Sequence, residues 1–265
     1  MTVTAATMLL NGTLQANGRR GYYSYPEGGG GSGGGVSIAA GALSGTGTLE
    51  AIGANGFWAK SGSGGGGRIA ISYDTWSPQE LTVSARGGGS GDGIPASAGT
   101  IYVKDNAEAD GDLIVDNEDV SSELDTPLLT NLVSFKKLDL QNRGRLEIAS
   151  DTVPHLWLDD LLIGDTCVLT SRSRDLLGLR ISVINTVALQ DGGRIMVDGD
   201  GLLGGGDSDN TFGDLGETFA PDGITPAAGS SAGSGGAYGG LGGGPEPNET
   251  YGYNEDPTQV GSGGS

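Results

Sequence analysis

The sequence predicts an all-β chain, a right-handed parallel β-helix (β-solenoid) whose glycine-rich loops pack as polyproline II strands. Three observations carry that expectation. Short segments alternate apolar and polar residues with the period of two that marks a strand. A frame of a small residue or Gly, then Thr or Arg, then Leu or Ile and further alternation recurs six times. Several of its intervals fall between about 20 and 35 residues, the range in which solenoids add one coil per repeat. Glycine supplies 53 of 265 residues, close to three times the average usage of about 7 %, and its runs lead directly into the alternating segments. A β-sandwich is the alternative fold, although it would not need the glycine runs.

The elements follow in order. Residues 2–10, Thr-Val-Thr-Ala-Ala-Thr-Met-Leu-Leu, open as a strand with no cap before it. The frame then appears at 11–18 (Asn-Gly-Thr-Leu-Gln-Ala-Asn-Gly) and at 47–51 (Gly-Thr-Leu-Glu-Ala). The run at 28–35 ends in Val36-Ser37-Ile38-Ala39, the run at 64–67 in Arg68-Ile69-Ala70-Ile71-Ser72-Tyr73, and Gly99 in Thr100-Ile101-Tyr102-Val103-Lys104. Linkers do not end this way. Closely spaced strand pairs follow: 138–140 with 146–148, 161–163 with 167–169, and 181–183 with 187–189. Residues 156–163, Leu-Trp-Leu-Asp-Asp-Leu-Leu-Ile, are the nearest approach to a helix and fit a strand bracketing a turn equally well. The last frame is Gly-Arg-Ile-Met-Val-Asp-Gly at 193–199.

Glycine is unevenly placed, with 26 in residues 1–104, four in 105–190 and 23 in 191–265. Three regions result: glycine-rich β-helix coils over 1–104, glycine-poor coils over 105–198, and a glycine-rich acidic segment over 199–265 continuing into the next repeat or subunit. A glycine inside regular structure costs roughly 0.5–1 kcal/mol relative to alanine. A chain that keeps so many either leaves them disordered or needs backbones to meet where no Cβ fits. Segments 62–67, 87–93, 233–244 and 261–264 could stack as polyproline II strands, which turn once every three residues.

Charge narrows the functional classes. The 33 acidic against 14 basic residues leave a net charge of −19, which repels a phosphate backbone and argues against nucleic acid and anionic lipid as partners. No stretch of about 18 apolar residues is present, so no membrane insertion is expected. The opening ten residues lack the basic and apolar regions of a secretory signal. A signal already removed, or a chain cut from something longer, is the expectation. Cys167 is the single cysteine, so no disulfide forms within the chain.

Two stretches, Gly-Gly-Gly-Ser-Gly-Gly-Gly-Val-Ser-Ile at 29–38 and Gly-Gly-Gly-Gly-Arg-Ile-Ala-Ile at 64–71, resemble the glycine-rich repeat regions of very large bacterial and protist extracellular surface proteins with parallel β-helix character. In that family a frame similar to Ala-Tyr-Gly-Gly-Leu-Gly-Gly-Gly (237–244) precedes a Tyr-Gly, here Tyr251-Gly252, and a Gly-Ser-Gly-Gly, here 261–264. The resemblance covers about two-thirds of the chain and implies an extracellular, repetitive, β-helical surface role. It carries over no catalytic residue, and residues 105–190 depart from it.

Chemistry is sparse. Any Ser/His/Asp arrangement must use His155, the one histidine, in what reads as a turn entering a strand. Cys167 reads as a buried structural residue. Paired carboxylates are the one enzymatic idea: Asp159 with Asp160, or Asp139 with Glu147 on adjacent coils, with Trp157, Arg172 and Arg174 as a thin supporting set. Neighbours along a strand point to opposite faces, so Asp159 and Asp160 share a site only in a turn. Asp198, Asp200, Asp207 and Asp209 offer clustered hard oxygens suited to calcium, within a 71-residue stretch after Arg194 that has no Lys or Arg. They match neither the EF-hand spacing nor the nonapeptide calcium repeat. Asn11 and Asn248 head glycosylation sequons, and Asn248, in a Pro/Glu loop, reads as the more accessible.

The function expected is an extracellular structural protein without enzymatic activity, a repeat unit of a surface fibre or filament, sheath or adhesin stalk. It would assemble by head-to-tail stacking of coils onto copies of itself or neighbouring repeats, because the ends show no polar caps. The alternative is a glycan-binding or carbohydrate-active β-helix module, with glycans as partners.

Overall fold

The computed structural model describes residues 1–21, 28–57, 60–77, 80–89 and 94–265. Among them every regular element is a strand and none is a helix. In chain order the strands begin β1 (Thr2–Leu9), β2 (Thr13–Gln15), β3 (Gly35–Ser44), β4 (Thr48–Glu50), β5 (Arg68–Trp76), β6 (Thr82–Ser84), β7 (Thr100–Asp105) and β8 (Asp112–Asp116). They continue as β9 (Thr126–Pro127), β10 (Ser134–Gln141), β11 (Arg145–Ile148), β12 (Leu156–Ile163), β13 (Val168–Ser171) and β14 (Ile181–Leu189). The last are β15 (Arg194–Met196), β16 (Glu217–Phe219) and β17 (Pro226–Ala228).

Except at β7 and β8, which follow one another in the same sheet, long and short strands alternate along the chain and go to different sheets. The long ones build an eight-stranded sheet in the order β1-β3-β5-β7-β8-β10-β12-β14. The short ones form a three-stranded sheet, β2-β4-β6, and a four-stranded sheet, β9-β11-β13-β15. Every pairing in these sheets is parallel except β7 with β8, so the antiparallel sandwich is not the architecture. The short antiparallel pair β16/β17 lies apart in its own sheet.

Parallel register stacks like residues into rungs. Val3, Ile38, Ile71 and Val103 align across four strands, faced by Leu14, Leu49 and Val83 on the three-stranded sheet. Leu113, Leu138, Leu161 and Val187 align beyond the antiparallel joint, as do Val115, Leu140, Ile163 and Leu189. Leu146, Leu169 and Ile195 face them. The buried residues of these rungs fill two separate cores, one over β1–β7 and one over β8–β14, with the β14 and β15 ends of the second left exposed.

The two cores lie on opposite faces of the long sheet. Directly opposed residues of an antiparallel pair share a face, and successive residues of a strand do not. Ile101 opposes Ile114, and both belong to the first core; Tyr102 opposes Leu113, and both pack in the second. The sheet therefore runs between the cores and turns its other side inward at β7/β8.

The uniformly parallel expectation fails at that joint for a local reason. Only residues 106–111 separate β7 from β8, whereas a parallel return needs a dozen or more. Asp105 accepts a bond from the Ala107 amide, and the Lys104 ammonium donates to the carbonyls of Glu108 and Ala109, closing the turn. Two further elements differ from expectation. Residues 156–163 form one strand with a register shift between Leu158 and Asp160 rather than a strand bracketing a turn, and 181–189 form one strand rather than two. A bulge spares the ladder from breaking.

Leu138 is fully buried in the second core. Leu138→Ala is expected to cost about 2–5 kcal/mol in denaturant unfolding, whereas exposed Leu132→Ala stays within about 0.5 kcal/mol.

Candidate functional site

Between each short strand of the first sheet and the next long strand, the chain makes an outward and a return segment: 16–21 and 28–34, 51–57 and 60–67, 85–89 and 94–99. Residues 90–93 of the expected glycine segment 87–93 lie outside the described residues. Return segments pair with one another in parallel: Gly30 and Gly33 donate to Gly62 and Gly65, Ser63 and Gly66 to Ile94 and Ser97. Each return segment also pairs antiparallel with its outward partner. Gly31 and Gly34 donate to Arg19 and Ala16, Gly64 and Gly67 to Ala54 and Ala51, Ala96 and Gly99 to Gly88 and Ala85. These N–H···O distances run from 2.6 to 3.0 Å, ordinary for good backbone bonds. In every pair the donors are three residues apart, where a strand spaces them by two.

Backbone bonds form the rows of this flank, and side chains of Asn17, Asn55 and Asn117 accept amides at its margins. A Cβ on Gly66 would come closer than 3.0 Å to the Ala85 oxygen and the Gly99 nitrogen, and one on Gly33 to the Ala51 oxygen and the Gly67 nitrogen. The segments meet only because nothing projects between them.

Carboxylates gather elsewhere. On the outward face of the long sheet, Asp112, Lys137 and Asp160 share one row across β8, β10 and β12, and Asp139 binds Lys137 at 3.1 Å. Burial pushes the Asp112 carboxyl up; Lys137 and Lys136 oppose that, and Asp139 and Asp160 add to it. Asp139 and Asp160 are thus brought together around Lys137. Glu147, on β11, belongs to the other sheet and lies beside Arg172, so the expected pairing of Asp139 with Glu147 does not form. Asp159 falls in the register shift, where its partner row is interrupted. His155 Nε2 lies 2.9 Å from Ser182 Oγ, with its ring stacked on Trp157. Cys167 is fully buried among the second core, and burial pushes its thiol up.

The glycine-rich C-terminal region has its own polar centre. Glu217 is fully buried and accepts bonds from Arg174 Nε at 3.0 Å, Arg174 Nη2 at 2.8 Å and the Leu203 amide at 3.0 Å. Burial pushes its carboxyl up, but these bonds outweigh burial and hold it below its ordinary value. Residues 261–265 thread through this region rather than ending free: Leu202 donates to Gly261, Gly205 to Gly264, Gly263 to Glu217 and Ser265 to Ser234. The three-residue step recurs here, from 202 and 205 to 261 and 264.

Of the four aspartates singled out for calcium, Asp200 accepts bonds from Thr170 and Ser171, and Asp207 accepts the Asp209 amide. No group of three or more His, Cys, Asp or Glu side chains among the described residues is placed to hold a metal, so Asp198, Asp200, Asp207 and Asp209 do not form one ligand set. Asn11 is exposed. Asn248 is not the accessible amide its sequence context suggested: it is 9 % exposed, and its Nδ2 donates to Thr218, Ala237 and Glu249. A hollow of about 680 Å³ beside it is lined by Phe219, Tyr251 and Asp222. Tyr251 donates to the Val260 carbonyl, and Asp222 accepts from the Thr225 hydroxyl and amide and the Ile224 amide, which draws its carboxyl down to about 2.

Two outcomes follow from the glycine flank and the buried pair. Gly66→Ala and Gly33→Ala are each expected to lose about 1–3 kcal/mol through overpacking, read by thermal unfolding. Gly62→Ala, which meets nothing within 4 Å, is expected to be neutral or to gain about 0.4–1 kcal/mol. Glu217, with its native pKa lowered, contributes stability that is complete above its ordinary value of 4.5 and is lost as pH falls through the native value. Glu217→Gln is expected to cost about 3–5 kcal/mol at neutral pH and to flatten the acid limb of the melting temperature against pH.

Comparisons of the chain with protein-family models, with curated proteins and with solved structures find no match.

Proposed function

We propose that the chain is a non-catalytic structural unit of an extracellular surface fibre, sheath or adhesin stalk: a right-handed parallel β-helix with its glycine segments packed as polyproline II strands. The observation that carries this reading is the glycine flank. Three return segments bonded backbone to backbone with one another and with their outward partners, with donors every third residue, match the turn of polyproline II. They make a stiff wall.

The strand order supports the coiled reading. On either side of β7/β8, long and short strands alternate along the chain, and each pass adds one strand to the long sheet and one to the short sheet facing that half. The reversal at β7/β8 alone would invert the hand of the coil, but the core changes face at the same joint. The two inversions cancel, so both halves keep one hand, and crossovers between parallel strands are right-handed in about 98 % of cases. The partners are copies of the chain or neighbouring repeats. The extracellular assignment rests on the resemblance of the glycine runs to surface-protein repeats.

Eight long strands at about 4.8 Å spacing give a rise of about 40 Å per unit. Electron microscopy of the native material is expected to show filaments with an axial repeat near that length. Discrete particles of one chain each would overturn the reading.

A further inference from the structure

The last rung of the second core is unfinished. Leu161 and Ile163 are buried, yet their neighbours Val187 and Leu189 on β14 are 54 % and 47 % exposed. Ile195, the end of the facing rung, is exposed as well. β14 is also the terminal strand of the long sheet, with β1 at the opposite end. Interior rungs of this fold are closed on both sides; this one is closed on one.

The chain itself contains the joint that would close it. At β7/β8 an antiparallel pairing joins two stacks whose cores face opposite ways, and the outward residues Tyr102 and Ile114 each cover the end of the neighbouring core. Since β1 runs parallel to β7 and β14 parallel to β8, β1 and β14 are antiparallel and serve opposite cores. A copy displaced along the sheet, without rotation, therefore sets its β1 against β14 in the same relation. In that register Thr2 and Ala188 take the places of Tyr102 and Ile114 and Thr2 opposes Val187, while Ile184 on the same edge of β14 is 74 % exposed.

Charge selects the same pairing. Residues 1–104 carry six basic and five acidic residues, leaving eight basic against 28 acidic in residues 105–265. Contact between two acidic ends brings like charge within a screening length of about 8–10 Å, whereas contact between the acidic end and the near-neutral end does not.

Resting on the structural reading above, we propose that the open β14/β15 end docks the β1 edge of a second copy through an antiparallel joint of the β7/β8 kind, which sets Thr2 opposite Val187 and covers the exposed Val187 and Leu189. Interfaces of this kind do not close on themselves and propagate as a filament.

The test mixes full-length chain carrying Thr2→Cys with full-length chain carrying Val187→Cys, the pair that stands where Tyr102 opposes Leu113, under mild oxidation. The heterodimer is expected to dominate on a non-reducing gel. Ile184→Asp is expected to weaken self-association at least about tenfold in sedimentation, about 1.4 kcal/mol, with the circular dichroism and melting temperature of the unmodified chain. Predominant Val187→Cys homodimers would overturn the proposal in favour of a two-fold contact, as would an Ile184→Asp chain that associates like the original. Filaments in native material combined with either result overturn this joint and leave the fibre reading standing; single-chain particles there overturn the fibre reading itself.

Discussion

Everything in the first half of the molecule depends on backbones meeting directly. Where the return segments 28–34, 60–67 and 94–99 lie against one another and against the outward segments, a carbonyl oxygen occupies the space a side chain would fill. Glycine is costly to order, roughly 0.5–1 kcal/mol more than alanine per residue, and each backbone hydrogen bond returns about 0.5–1.5 kcal/mol net. The balance is close, and it holds because the bonds come in rows on two sides. The rows also set register. Gly34, Gly67 and Gly99 stand immediately before or at the start of β3, β5 and β7, so strands entering from a fixed flank align Ile38, Ile71 and Val103 without further specification.

The second half solves the same stacking problem with side chains. It has almost no glycine, and its core is built mainly of Leu and Ile, where the first core mixes Ile, Val and Leu with Ala. The two solutions join at a tight turn of acidic residues, and the reversal there is tolerated because the sheet offers its other face at the same point. The C-terminal region returns to the glycine solution, now anchored by Arg174 and Glu217 instead of a long sheet.

Much of this was legible in the residues. Alternation at 36–39, 68–73 and 100–104 marks the strands because side chains of a strand have a period of two, and the burial of Cys167 follows from its place in an apolar segment. The reversal at 106–111 was not legible: an acidic stretch reads as solvated loop, and only its shortness forbids a parallel return. Which glycines admit no Cβ was hidden inside unbroken runs, where a period of three leaves no mark. The row of Asp112, Lys137 and Asp160 depends on the register of three strands, which no local pattern states. Asn248 misled for a related reason. Its Pro/Glu surroundings suggest exposure, but its amide is drawn inward by Thr218 and Ala237, distant in sequence.

Amide hydrogen exchange across the glycine flank tests the central claim most directly. If the segments are held backbone to backbone, the amides of Gly30, Gly33, Gly64, Gly66, Gly67 and Gly99 exchange at rates set by opening of the folded structure, as core strand amides do, while Gly12 exchanges as in an unfolded chain. Rates at all of these positions equal to those of an unfolded chain would show the glycine runs to be mobile loops and would contradict the account.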